Sequence, residues 1–458
     1  MGQQTFGKAQ KWSFGLGSYA QWFINGAFNT WVFSFYFSAV KLNVIYVMIA
    51  FICWTLWNAI NDPLIGHLSD KTHTRFGRRK PFIMLGSIPI LIIEIIIWLP
   101  RPGNDLFNFI YLLIMLICYD TFYTMVSLPF DSLFPELYTS VEERAEVNTI
   151  KQVMATVGLI MAFLVPGIFI GRISEPSGYL TNGIVTSICV GVALLFALKY
   201  GVKEREEFQM DYTHGFSFFK SLKYTLKNKG FILYTLMFFL YEYLTLVLST
   251  TVPLYGEEIL NVGTFMTSIL LGLLFIVGMA TVIIWMKLDV KLGSRKAYAI
   301  SIIAYFVASL PILFIDEFIY ALITVVGMGF GFGGMLYFIY LIIADVIDED
   351  ELKTGVRREG AYFGVTNFFM RLAMVASILT VGSMFISTGW EEWVPDPNID
   401  TLLALRLLIV VIPGIALGIN AICLYFYPFS KEKVDSIKLQ MQKLHEEKRE
   451  RVRSQIKP

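Results

Sequence analysis

Residues Asn58–Phe82 read NAINDPLIGHLSDKTHTRFGRRKPF, and the fold turns on this stretch. It begins inside a long apolar segment, where Asn58, Asn61 and Asp62 are spaced to share one helical face. It ends in a short loop carrying Lys71, Arg75, Arg78, Arg79 and Lys80, after which the chain is apolar again. An acid inside a membrane helix, beside a basic hairpin joining two spans, points to a transporter.

Composition sets the class. Hydrophobic residues make up 56 % of the 458, charged residues only 16 %, and the mean hydropathy is +0.61. A soluble domain carries roughly a quarter charged residues, so this chain cannot hide its apolar surface in one aqueous core. The net charge of +1 gives no basic surface for nucleic acid. Cys53, Cys118, Cys189 and Cys423 are scattered through apolar runs, without disulfide or metal-ligand spacing. The first apolar run is too long for a cleavable signal peptide and lacks a small-residue cleavage site, so none is expected.

About 20 apolar residues cross a bilayer as a helix. Twelve such stretches occur, at 14–40, 44–68, 82–100, 106–134, 147–171, 181–200, 230–254, 263–286, 297–315, 318–344, 359–387 and 402–427. The expected organisation is an N-terminal six-helix half (1–200), a cytoplasmic linker (201–229), a C-terminal six-helix half (230–427) and a cytoplasmic tail (428–458). The termini and the loops after even-numbered spans, counting Lys199 at the end of span six with its loop, hold 31 of the 37 Lys and Arg residues. Positive charge marks the cytoplasmic side, which predicts an integral protein of the plasma membrane with both termini inside. The halves echo each other: DKTHTRFGRRKPF after span two has a shorter counterpart, DVKLGSRKAY, after span eight, with Gly77 and Gly293 at matching places. The fold class predicted is all-α, twelve transmembrane helices in two six-helix repeats, the major facilitator fold, in which a midplane site is exposed alternately to each side.

An ionised side chain at a helix centre costs about 2.5–3.5 kcal/mol on insertion scales. The acids that must justify this are Asp62, Glu94, Asp120, Asp131 and Glu242. Asp62 stands out, because Asn58 and Asn61 add amide oxygens on its face and Pro63 loosens the backbone. Oxygen ligands suit a hard cation, and an acid withdrawn from water also holds a proton more readily. The plainer reading is a structural acid pairing with the basic loop. Glu94, which interrupts IIEIII, is expected at the lipid edge or outer surface; Asp120 and Glu242 stay open. Lys151 and Arg371 are lone cations in spans five and eleven, placed either to hold substrate, to neutralise Asp62 and Asp131, or to snorkel. Glycines 327, 329, 331, 333 and 334 lack the strand a phosphate loop requires and suit close helix packing or a flexing span. No nucleophile–base pair, metal cluster or nucleotide loop is visible, so no enzyme activity, metal or cofactor is expected.

The stretches NDPLIGHLSDKTHTRFGRRKPF, LPFDSLFPEL with ERAEVN, and ADVID with RREGAYFGVTNFF together resemble the glycoside–pentoside–hexuronide:cation symporter family of the major facilitator superfamily, to which melibiose permease belongs. The resemblance spans essentially all twelve helices. That family's cation site uses two acids one turn apart in span two, an intervening Asn, and a Thr in span four. The resemblance places Asp62, Asn61 and Thr124 there, with Asn58 in place of the first acid. One carboxylate is thus lost, which implies proton rather than sodium coupling through Asp62. At the family's sugar-binding positions stand Trp22, Tyr123, Ser127 and Asp131, and Lys151 and Arg371 keep its basic positions. Asp70, Arg78, Arg79, Lys80 and Arg295 fall in the loops that govern conformation.

The function implied is cation-coupled symport of a sugar or glycoside, by a monomer whose partners are that small molecule and the lipid bilayer. A lysolipid transporter of the same fold, revealed by amphiphile uptake, is the first rival. A transporter-like sensor, revealed by binding without flux, is the second. In the tail, Val434, Ile437, Met441 and Leu444 form an apolar stripe that either lies on the cytoplasmic leaflet, docks beneath the bundle or is simply solvated.

Overall fold

The computed structural model describes residues 7–72, 74, 77–101, 103–138, 141–202, 227–354, 359–395 and 397–456. Most of the expected linker, 203–226, lies outside them. Lipid offers no partner to a bare N–H or C=O, so spans of this composition must close their hydrogen bonds within helices. The helices are α1 (Lys8–Ser34), α2 (Val44–Lys71), α3 (Lys80–Ile96), α4 (Asp105–Leu137), α5 (Val141–Phe169), α6 (Ser177–Phe196), α7 (Lys229–Glu258), α8 (Thr264–Leu292), α9 (Ser294–Ser309), α10 (Phe318–Thr354) and α11 (Glu359–Ser387). The twelfth span is α12 (Ile399–Ile409) followed by α13 (Val411–Phe426), and the tail is α14 (Lys431–Ile456).

Ten of these spans are long and apolar enough to cross a membrane. The other two have visible reasons: α3 has 17 residues, and α1 carries Ser18, Gln21, Asn25, Asn29 and Thr30. Local signals set the ends. Asn43 accepts from Ile45 N at 2.9 Å to start α2, and Asn104 accepts from Phe107 N at 2.9 Å to start α4. Helix α10 runs to Thr354, past the apolar limit at 344, because ADVIDEDELKT continues the helix out of the hydrocarbon region. The break at Val410 precedes Pro413, which has no N–H to return to Ile409.

The faces of α2 show how the bundle is read by its surroundings. Leu56, Ile60 and Leu64, four residues apart, are all more than 40 % exposed, whereas Trp54, Asn61 and Ile65 are buried. Both faces are largely apolar, one for lipid and one for protein, so the helix shows little amphipathic contrast.

Two compact units emerge. Unit 1 comprises Met1–His214, Ser249–Gly272 and Ile378–Leu405; unit 2 comprises Gly215–Leu248, Leu273–Ser377 and Arg406–Pro458. Within unit 1, α1 packs along α5, and α2 and α3 pack on α4. Phe14 stacks on Phe130 at 4.4 Å, and Phe28 on Tyr119 at 3.5 Å. Unit 1 also contains a clasp among loops that the charge bias assigns to the outer face. Glu257, at the end of α7, accepts from Ile173 N at 2.6 Å and from Ser174 Oγ at 2.7 Å. Nearby, Thr264 N donates to Gly171 O at 3.0 Å, Val44 N to Glu391 O at 2.7 Å, and Trp393 Nε1 to Glu258 Oε1 at 3.0 Å.

Unit 2 explains the glycine run. Gly331 lies against the backbone of Tyr305, and Gly333 against the carbonyl of Gly278, so these residues let α10 approach α9 and α8 where a β-carbon has no room. Close packing, not a phosphate cradle, is their role. The tail resolves as well: Val434, Ile437 and Met441 are buried, Lys433 Nζ meets Glu349 Oε1 at 2.7 Å, and Lys431 Nζ donates to Val290 O at 2.8 Å. Its first turns therefore dock on the end of α10. Gly77 and Gly293 both have positive φ, 106° and 81°, so the matching loops share a backbone conformation that favours glycine.

Candidate functional site

Helices α2 and α4 bring the principal polar cluster together. Asn61 Nδ2 donates to Asp120 Oδ2 at 2.9 Å and to the Asp120 carbonyl at 3.2 Å, while Asn58 Nδ2 donates to Asp120 Oδ1. One turn along α4, Thr124 Oγ1 donates to Asp62 Oδ1 at 2.9 Å. On the flank, Trp57 Nε1 donates to Thr121 Oγ1 at 3.0 Å. Asn61 is fully buried, Asp120 and Thr124 nearly so, and Asp62 half-buried. Asn61 Oδ1 is buried with no hydrogen-bond donor among the described residues.

The sequence-based set Asp62, Asn58, Asn61 and Thr124 is thus assembled in one place. The same contact brings in Asp120, to whose carboxylate both Asn58 and Asn61 donate. A signal for it existed: Asp120, Thr124, Ser127 and Asp131 recur at intervals of four, three and four, and so share one face of α4.

Two turns along that face lies a second polar group. Lys151 Nζ pairs with Asp131 Oδ1 at 3.1 Å, with side chains 16 % and 58 % exposed respectively. The ammonium also sits 4.8 Å from the Phe134 ring and 5.9 Å from the rings of Phe14 and Phe130. Lys151 thus forms an ion pair inside an aromatic collar. Between the two groups, Tyr123 stacks parallel to Tyr119 at 6.1 Å, and Tyr119 OH donates to Ile24 O at 3.1 Å.

On α1, Gln21 rather than Trp22 turns toward α4: Gln21 is buried and its Nε2 donates to Ser127 O at 3.4 Å, whereas Trp22 is half exposed. Arg371 is half-buried on α11, in unit 2. Of the loop residues, Arg78 and Arg79 are buried at the start of α3, beside Lys80, and Arg295 donates to Tyr425 O. The side chain of Asp70 lies outside the described residues.

Glu94 corrects its expectation. It is fully buried, not at the lipid edge or outer surface, because α6 closes over it: Gly183 lies directly against the Glu94 carbonyl and Trp98. A hydrophobic run around an acid does not reveal which neighbour covers it.

The family model described as MFS/sugar transport protein matches residues 13–431. The isoprimeverose transporter of Lactiplantibacillus pentosus is 23 % identical over 442 residues, covering 94 % of this chain and 90 % of that protein. The putative glycoside/cation symporter YagG of Escherichia coli (strain K12) is 25 % identical over 453 residues, covering 94 % of each. These matches bear out the resemblance to the glycoside–pentoside–hexuronide:cation symporters. The crystal structure of a D-xylose–proton symporter shares the fold, with a TM-score of 0.66 at 13 % identity over 92 % of this chain and 95 % of that one. The family and the fold are those of membrane transporters.

Proposed function

The chain belongs to the MFS/sugar transport family, and on that premise we propose that it carries a sugar or glycoside across the plasma membrane together with a cation, by alternating access. The observation that carries this reading is the α2–α4 cluster, where an acid, Asp62, is held by Thr124 beside two amides and a second acid within a membrane bundle. Such a group is retained in lipid for function. Asp62 is the coupling group, and a proton is the least demanding cation it takes up, since that needs one carboxylate only. Tyr123, Ser127 and Asp131 along α4, with Trp22, Lys151 and Arg371, are the substrate contacts of this reading. Relatives named for isoprimeverose and glycosides support a sugar as cargo. The basic loops support cytoplasmic termini.

One cation per sugar is enough for work against a gradient. A membrane potential contributes about 2.3 kcal/mol per charge per 100 mV, or roughly fifty-fold accumulation. The test is uptake by proteoliposomes of a panel of glycosides and pentosides under imposed proton or sodium gradients. Asp62→Asn is expected to retain sugar exchange and to lose gradient-driven uptake. Uphill uptake by D62N at the wild-type level would overturn the assignment.

A further inference from the structure

Docking on α10 explains the buried stripe of the tail, but not the cleft that this docking creates. The cleft is open, about 510 Å³, and lies between the start of α7, the end of α10, α11 and the first turn of α14. That volume falls within the roughly 300–1,000 Å³ of small-molecule sites. Its walls all belong to unit 2, whereas the α2–α4 cluster lies in unit 1, so the two are separate.

Four lysines converge there from three elements: Lys227 and Lys229 at the start of α7, Lys353 on α10 and Lys433 on α14. Against them stand two carboxylates, Glu349 and Asp350, which leaves two positive charges in excess. Glu349 is shared, 2.7 Å from Lys433 Nζ and 3.0 Å from Lys353 Nζ. Asp350 is nearly buried and has contacts of its own. Lys227 and Lys229 are exposed and form no ion pair among the described residues. Asn228 between them accepts from Gly230 N at 2.9 Å and from Phe231 N at 3.3 Å, so two of the first amides of α7 are already taken and the ammonium groups supply the free positive charge. The tail closes the far wall. Phe429 lies against Gly230, where a β-carbon would stand 2.7 Å from the ring, and Lys433 Nζ sits 4.4 Å from the centre of that ring.

Lysines at span ends ordinarily reach one by one into the headgroup region. Here they share one concave wall, at the end of the bundle that the Lys/Arg bias assigns to the cytoplasm. A basic pocket between helices on that side is where anionic phospholipid headgroups bind, and lysine meets phosphate as a point charge. We propose that this cleft binds a phosphate-bearing anion, held by Lys227 and Lys229 with Lys353 and Lys433 at its flanks, and that the docked tail completes the site. Without α14 the cleft loses a wall and one of its charges. The tail thus has a binding role separate from the cargo, and the inference does not depend on which molecule is carried.

The test uses the purified full chain in neutral detergent. Its thermal unfolding midpoint is followed during titration with inorganic phosphate and with dihexanoylphosphatidylglycerol, each against chloride of the same cation at equal ionic strength. A rise beyond that in chloride is expected with at least one of the two. A response to the phosphatidylglycerol alone assigns the anion to a lipid headgroup; a response to inorganic phosphate assigns it to a soluble phosphate. K227Q/K229Q is expected to need roughly 10–30-fold more of the active probe for the same rise, and K227R/K229R to keep the wild-type response. Should the glutamine pair not fold, Lys229→Gln alone replaces it, with about a fivefold weakening expected. No rise beyond chloride with either anion would overturn the inference. So would a glutamine variant that titrates like wild type, or an arginine variant as insensitive as the glutamine one.

Discussion

The face of α4 carries two acids in opposite circumstances. Asp120 is nearly sealed from solvent and is met by amides; Asp131 is 58 % exposed and has Lys151 at 3.1 Å. The first keeps its charge uncancelled by the groups that hydrogen-bond it. The second has a resident cation and an open side. Eleven residues of one helix therefore separate an acid held by neutral donors from an acid paired with a resident cation. The lesson concerns counter-charges: in a bundle of this composition an acid whose partners are neutral bears a desolvation cost that an acid with a Lys partner offsets.

The comparison breaks first at function. Asp62→Asn is expected to abolish gradient-driven accumulation, whereas Asp131→Asn should weaken sugar affinity and leave the dependence on the ion gradient intact; uptake under imposed gradients reads both. Equal loss of ion dependence in the two variants would erase the distinction. Stability gives a smaller contrast. Asp120→Leu strips the acceptor from two amides, Asn61 buried and Asn58 half-buried, and is expected to destabilise by about 1–3 kcal/mol, measured by denaturant titration in detergent. Lys151→Met should have the least effect, about 0–1 kcal/mol and shrinking with added salt, because its partner is exposed and the pair is screened. A salt-independent loss larger than that of D120L would mean that the Lys151–Asp131 pair, not the inner cluster, braces α4.

How far the sequence reached follows from what kind of information each feature needs. Segment length, the apolar fraction and the Lys/Arg bias lie along the chain, so the spans and the repeat could be read directly, down to the paired glycines whose φ values match. The set Asp62, Asn58, Asn61 and Thr124 was legible through helical spacing and resemblance. Asp120 stood among the intramembrane acids but was left open, although it contacts two of those residues, because a link 59–62 residues apart depends on how α2 is rotated against α4. Glu94 failed for the same reason: its cover comes from α6, nearly 90 residues on. On α1 the choice between adjacent residues, Gln21 and Trp22, is a choice of helix face, and a shift of one residue in an alignment rotates the answer by about 100°.

The clasp around Glu257 has a consequence in time. Its carboxylate holds two donors of the turn after α5, at 2.6 and 2.7 Å, and a bond to an ionised group contributes about 1.5–3 kcal/mol. Any step of the cycle that parts α7 from this turn must climb that energy before new partners form, and each 1.4 kcal/mol is tenfold in rate. Glu257 would then act as a brake on turnover: Glu257→Gln should quicken sugar exchange in stopped-flow measurements without altering which ion drives uptake.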